Sequence, residues 1–168
     1  MEHISILEKF DGNLWSYHIV VPDEIAKHYI SGDSDRRVIC TLNNRTSFQC
    51  ALMHKGDGNY FININKKIRE NLGLKPGSHV TYSLEKDESE YGLPMTDELR
   101  ETLLQDEEGN EIFHALTMGK QRTLIYIASS VKDTQKRINR ALAIVTHLKI
   151  TKGKINFKQL NEGIRVMN

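Results

Sequence analysis

Residues 61–86 read FININKKIRENLGLKPGSHVTYSLEK, and this stretch decides the fold. Tyr60–Ile64 reads as a strand, and Asn65 then offers a side-chain oxygen as a helix N-cap. Ile68 and Leu72 share one face of a helical turn, Gly73 supplies a left-handed stop, and Pro76-Gly77 turns the chain into a strand over Val80–Leu84. Residues 18–43, HIVVPDEIAKHYISGDSDRRVICTLN, follow the same order. Ile19, Val21 and Ile25 stand where Ile62, Ile64 and Ile68 stand later, and after a one-residue slip Val38 and Leu42 answer Val80 and Leu84. A doubled strand–turn–strand unit predicts two similar halves closing around one core, as in a small pseudo-two-fold β-barrel.

Outward from the repeat, Ile4 and Ile6 mark a first strand over residues 3–10, and Asp11-Gly12-Asn13 a turn. Trp15, Tyr17 and Ile19 alternate up to Pro22, which opens a short helix over Asp23–Ile30, and residues 31–35 form a loop. Arg37–Leu42 and Ser47–Met53 pair as a hairpin about Asn43-Asn44-Arg45. Closed there, Cys40 falls opposite a residue near 47–49 and only diagonal to Cys50, which disfavours a disulfide.

Near residue 93 the hydrophobic period changes from two to 3.6. Thr96 caps a helix carrying Leu99, Leu103 and Leu104; residues 111–118 predict a short helix ending at Gly119; Gln121–Ser129, Asp133–Leu148 and Asn156–Val166 predict three more. On Asp133–Leu148 the residues Ile138, Ala141, Leu142, Val145 and Leu148 form the inward stripe, with Lys136, Arg140 and His147 opposite. The expected organisation is therefore α+β: a pseudo-two-fold double-split β-barrel over residues 1–90, then a small helical region over 91–168.

Charge is unevenly spread along a chain whose net charge is only +1. Residues 85–112 hold eleven acidic side chains against two basic, a net of −9, and residues 119–168 hold eleven basic against two acidic, a net of +9. Against the local clusters Arg36-Arg37 and Lys66-Lys67-Arg69 of the first half, the basic stretch is the better candidate for binding a polyanion, through Lys132, Lys136, Arg137 and Arg140. The near-cancellation favours Lys136, Arg137 and Arg140 facing the acidic stretch instead.

Other chemistry finds little footing. The seven histidines include no HxxxH pair, and no Cys lies within ligand spacing of another, so no metal site is expected. The cysteines fall inside strands, where a thiol is usually a small apolar filler. Pairs such as Asp87-Glu88 sit in charge runs with no apolar setting to raise a carboxylate pKa, and no Gly-rich phosphate loop is present. Neither catalytic residues nor a cofactor is expected, so the chain is expected not to be an enzyme. No apolar run reaches the ~20 residues of a membrane span, and the N-terminus lacks the apolar stretch of a signal peptide.

The unit Asn65–Gly77 followed by a Val-bearing strand resembles the half-barrel of the AbrB/MazE family, whose members swap such units in a dimer to make a double-split β-barrel. Here both copies lie in one chain, with Asn65 where the family usually has Pro and Ser78 where it usually has Asp. With Trp15, Val21-Pro22 and Arg37-Val38, residues 3–88 are similar to a bacterial family of unknown function in that fold class. Its members often carry a helical region named after YdeI/OmpD-associated, or bacteriocin-protection, proteins, which Leu93-Pro94, Thr134–Ile138 and Arg140 resemble. The resemblance implies no catalytic residue. The expectation is a cytoplasmic binding or interaction module, with a nucleic-acid-binding regulator and an enzyme with an unrecognised site as alternatives, and with nucleic acid or protein as the possible partner.

Overall fold

The computed structural model describes residues 1–11, 17–30 and 36–167, in two compact units, Met1–Gly92 and Leu93–Asn168. The chain is α+β. Trp15 and the loop of residues 31–35 lie outside the described residues, as does most of the turn after Asp11.

The first unit contains β1 (Glu2–Lys9), β2 (Tyr17–Val21), α1 (Asp23–Ala26), β3 (Arg37–Leu42), β4 (Thr46–Ala51), β5 (Met53–His54), β6 (Tyr60–Asn63), α2 (Lys66–Leu72) and β7 (His79–Lys86). The strands form one antiparallel sheet in the order β4-β3-β7-β1-β2-β6-β5. Its two ends, β4 and β5, are consecutive in the chain and separated only by Leu52, so the sheet curls back on itself.

The register shows the repeat at work. Ile19 pairs with Ile62, its own counterpart 43 residues on. Thr41 pairs with Ser83, its counterpart 42 residues on, which reproduces the one-residue slip. A local two-fold axis therefore passes through both pairs. The same operation equates β1 with β4 and β5: Leu7 N–H donates to the Ser78 carbonyl (2.9 Å), and Leu52 N–H to the Arg36 carbonyl (2.8 Å). At Leu7 and Leu52 each long strand leaves one partner for another. Both leucines are buried among Ile19, Val21, Val38, Leu42, Ile62, Ile64, Val80 and Leu84.

Local chemistry sets the turns. Asn65 Oδ1 accepts from Ile68 N–H, and Gly73 closes α2 at φ 62° with Leu74 N–H donating to the Arg69 carbonyl. Asn43 and Asn44 both take positive φ (49° and 51°), a conformation Asn tolerates, to close the β3–β4 hairpin. In that hairpin Cys40 lies opposite Phe48, and Cys50 opposite Val38.

Several expectations are corrected. In β1 the buried residue is Leu7, while Ile4 and Ile6 face outward, because the strand's inner face is set by the split at Leu7. The helix after Pro22 stops at Ala26, the chain continuing as a turn. Asp87 is buried rather than part of a solvated charge run.

The second unit contains α3 (Asp97–Gln105), α4 (Glu107–Ala115), α5 (Met118–Ser129), α6 (Thr134–Thr151) and α7 (Phe157–Met167). Thr96 Oγ1 accepts from Leu99 N–H at the start of α3. Asp106 ends α3 and caps α4 through Gly109 N–H (2.8 Å), so the fourth helix covers 107–115 rather than 111–118, and Gly119 lies in the first turn of α5. On α6 the buried residues are Ala141, Ala143, Ile144, Val145, His147 and Leu148, whereas Leu142 is 45% exposed. The single-stripe expectation fails because α3, α4, α5 and α7 all pack on α6, which buries more than one face.

Candidate functional site

A cleft of the first unit lies where the sheet is open, between the end of β4, β5 and the end of β6. It encloses about 710 Å³ and is lined by Phe48–His54, by Asn63 and Asn65, and by Arg36 and Arg37. That volume falls in the range of small-molecule and peptide sites. Among the described residues its lining contains two arginines and a histidine and no carboxylate.

The two-fold relation explains why the cleft is there. In the first copy, Ser5 Oγ donates to the Val20 carbonyl (3.1 Å) and closes the seam between β1 and β2. In the second copy Cys50 stands in the place of Ser5, and Asn63 in the place of Val20. A thiol is a weak hydrogen-bond donor, and Cys50 lies beside the Cys40 thiol. The second seam lacks its bridge and is open.

The two thiols differ in environment. Cys40 is fully buried, and its contact with Cys50 together with burial pushes its thiol pKa far up, so it stays protonated. Cys50 is half-buried and lines the cleft. Both are free.

One wall of the cleft is braced by a polar cluster around Asp87. Gln49 Nε2 donates to both Asp87 carboxylate oxygens (3.1 and 3.2 Å) and approaches Ser89 Oγ (2.7 Å). Ser89 donates to Asp87 Oδ1 from its hydroxyl (2.6 Å) and its N–H (3.1 Å), and Arg37 Nε lies 3.9 Å from Asp87 Oδ2. Arg37 also donates to the Gly92 carbonyl. Burial by itself would push the Asp87 carboxyl pKa up; the hydrogen bonds from Ser89 and Gln49 and the Arg37 charge outweigh it and hold the group below its ordinary value. Arg37 is thus bound into the wall. Arg36 has no carboxylate partner among the described residues.

The basic residues of the second unit are not gathered into one open face. Lys132 and Lys136 are exposed. Arg137 pairs with Glu98 of α3 (3.0 Å), and Arg140 donates to the Ile127 carbonyl (2.7 Å) and to Ser130 Oγ (2.5 Å). The second link from α6 to the acidic stretch is Lys149 to Asp106 (2.6 Å). That pairing holds the Asp106 carboxyl pKa down and the Lys149 ammonium pKa up. Sequence reasoning missed Lys149, which lies about two and a half helical turns beyond Arg140, the last of the basic cluster.

Among the described residues, no group of three or more His, Cys, Asp or Glu could hold a metal, and no helix is long and apolar enough to cross a membrane. Sequence reasoning did not single out Arg36, Gln49, Asn63 or Cys50 as a site. Laying Cys50 against Ser5 in the repeat was the signal that could have found it.

No curated protein matches the chain. Residues 5–84, which hold most of the repeat and the whole lining of the open seam, match the model of a family described as a domain of unknown function, DUF1905.

Proposed function

We propose that the first unit is a non-catalytic binding module whose ligand sits in the open seam between β4, β5 and β6. The observation that supports it is the contrast between the copies: a bridge from Ser5 to Val20 closes one seam, and the equivalent seam is open and lined with polar groups. Among the described residues no nucleophile in the cleft is paired with a base, and the half-buried Cys50 abuts a protonated thiol, so recognition rather than bond-breaking is the chemistry these residues suit. The repeat-matched register supports reading the unit as a double-split β-barrel of the AbrB/MazE type. Leu93–Asn168 is read as its YdeI/OmpD-associated-like helical companion, and the two free thiols suit a cytoplasmic setting.

The test is a thermal-shift screen of small organic acids and amides on the parent and on Ala51→Trp, which fills the cleft. Compounds that raise the parent's melting temperature and not the variant's support the reading. Hits that act equally on both overturn it.

Polyanion binding by the second unit is the lesser reading. It rests on exposed Lys132 and Lys136 alone, since Arg137 and Arg140 are held within the unit. Binding of mixed-sequence DNA at low salt, lost in Lys132→Gln/Lys136→Gln, would support it.

A further inference from the structure

We infer that the ligand of the open seam is an extended peptide segment carrying an acidic side chain, added as a strand beside β4. This inference rests on the seam being the binding site. Three features of the cleft point to it.

The first is shape. Four of the lining residues, 48–51, are consecutive in β4. At ~3.3 Å per residue they present about 13 Å of strand edge, an elongated trough rather than a round pocket. The second is hydrogen bonding. β4 is the last strand in the sheet order and, among the described residues, pairs only with β3, so its other edge carries backbone N–H and C=O groups without a strand partner there. β5 leaves β6 after Met53 and Phe61, and at Asn63 the ladder has run out. An added strand would satisfy both edges, as in β-augmentation. Gln49, Asn63 and Asn65 add amides along the trough. Asn65 uses Oδ1 to cap α2 and so retains its NH2 as a donor.

The third feature is charge. Among the described residues the lining contains no acid, and Arg36 is its guanidinium not already bound to a carboxylate. An Arg in a partly enclosed cleft pairs with a carboxylate in a charge-assisted, often bidentate bond. A basic or neutral peptide would leave it unmatched.

The experiment uses the full chain and a fluorescein-labelled seven-residue peptide pool, randomised except for a fixed central Glu, read by fluorescence polarisation at low salt. The same pool with a central Lys, and the Glu pool with alternate backbone amides methylated, are the comparisons. Saturable binding of the Glu pool is expected, weakened about tenfold or more by either change. Arg36→Gln should weaken it about tenfold, Arg36→Lys less, and Arg45→Gln, on the exposed hairpin turn, not at all.

No binding of the Glu pool overturns the inference. Equal binding of the methylated pool also overturns it, because the site then reads charge without a backbone. Insensitivity to Arg36→Gln does the same. If peptides fail while small molecules stabilise the parent and not Ala51→Trp, the peptide inference falls and the seam remains a binding site. If both fail, both readings fall.

Discussion

Gly109 of α4 lies against Val145 of α6 so closely that a Cβ on Gly109 would stand 2.5 Å from Val145 Cγ1. The missing side chain is what lets the two helices meet, next to the Asp106 cap and its bond to Lys149. Gly109→Ala should therefore destabilise the helical unit by about 1–3 kcal/mol, despite alanine's better helix propensity. Gly119→Ala, where nothing lies within 4 Å, should be neutral or slightly stabilising. Urea denaturation of the two variants checks this, and equal midpoints would contradict the packing argument.

Asp87 is satisfied from Gln49, Ser89 and Arg37, so removing its charge strands three donors at once. Asp87→Ala should cost about 1–3 kcal/mol. Its folded pKa lies below the unfolded one, so its contribution is present above the unfolded value near 3.8 and is lost as pH falls through the folded value. Acid unfolding of the parent should accordingly be steeper than that of Asp87→Asn, measured by circular dichroism.

His147 titrates with the opposite sign. Burial holds its imidazole pKa below the ordinary 6.5, and its Nε2 accepts from the Asn156 N–H (3.0 Å) that starts α7. The unfolded chain takes the proton first, so stability is full above the unfolded pKa and declines as pH falls below it. Urea midpoints at about pH 7.5 and about pH 5.5, either side of the ordinary His pKa, should differ more for the parent than for His147→Gln. Identical shifts would remove His147 from the account.

Cys50 lines the cleft while Cys40 is fully buried and held protonated. The native protein should consume one equivalent of a thiol reagent quickly and the second only on unfolding, with mass spectrometry placing the label on Cys50. Prior labelling at Cys40 would contradict the arrangement.

Much of the fold was legible because the repeat and the register share one arithmetic. Residues that match along the chain, Ile19 with Ile62 and Thr41 with Ser83, are the ones that pair across it. Caps at Asn65 and Thr96 were readable for a local reason, since each donor lies three residues on. What escaped was non-local. Asp87 looked solvated because Gln49 lies 38 residues away. His147 looked outward because periodicity reports one face of a helix and α6 buries more than one. The start of α4 was lost in an acidic run, where nothing in composition marks Asp106 as the hinge of two helices. The open seam was hardest, being a bridge that is missing.

The split strands give the molecule an unequal division of labour. Where Ser5 ties Val20, the first copy serves as masonry, and a change there disturbs the pairings of β1 with both β2 and β7. Its twin at Cys50 and Asn63 keeps the same crossing at Leu52 without the tie. A duplicated part released from structural duty can drift in sequence while its sibling holds the shape. New specificity in such a chain would therefore be written into residues 48–54 and left out of residues 3–9.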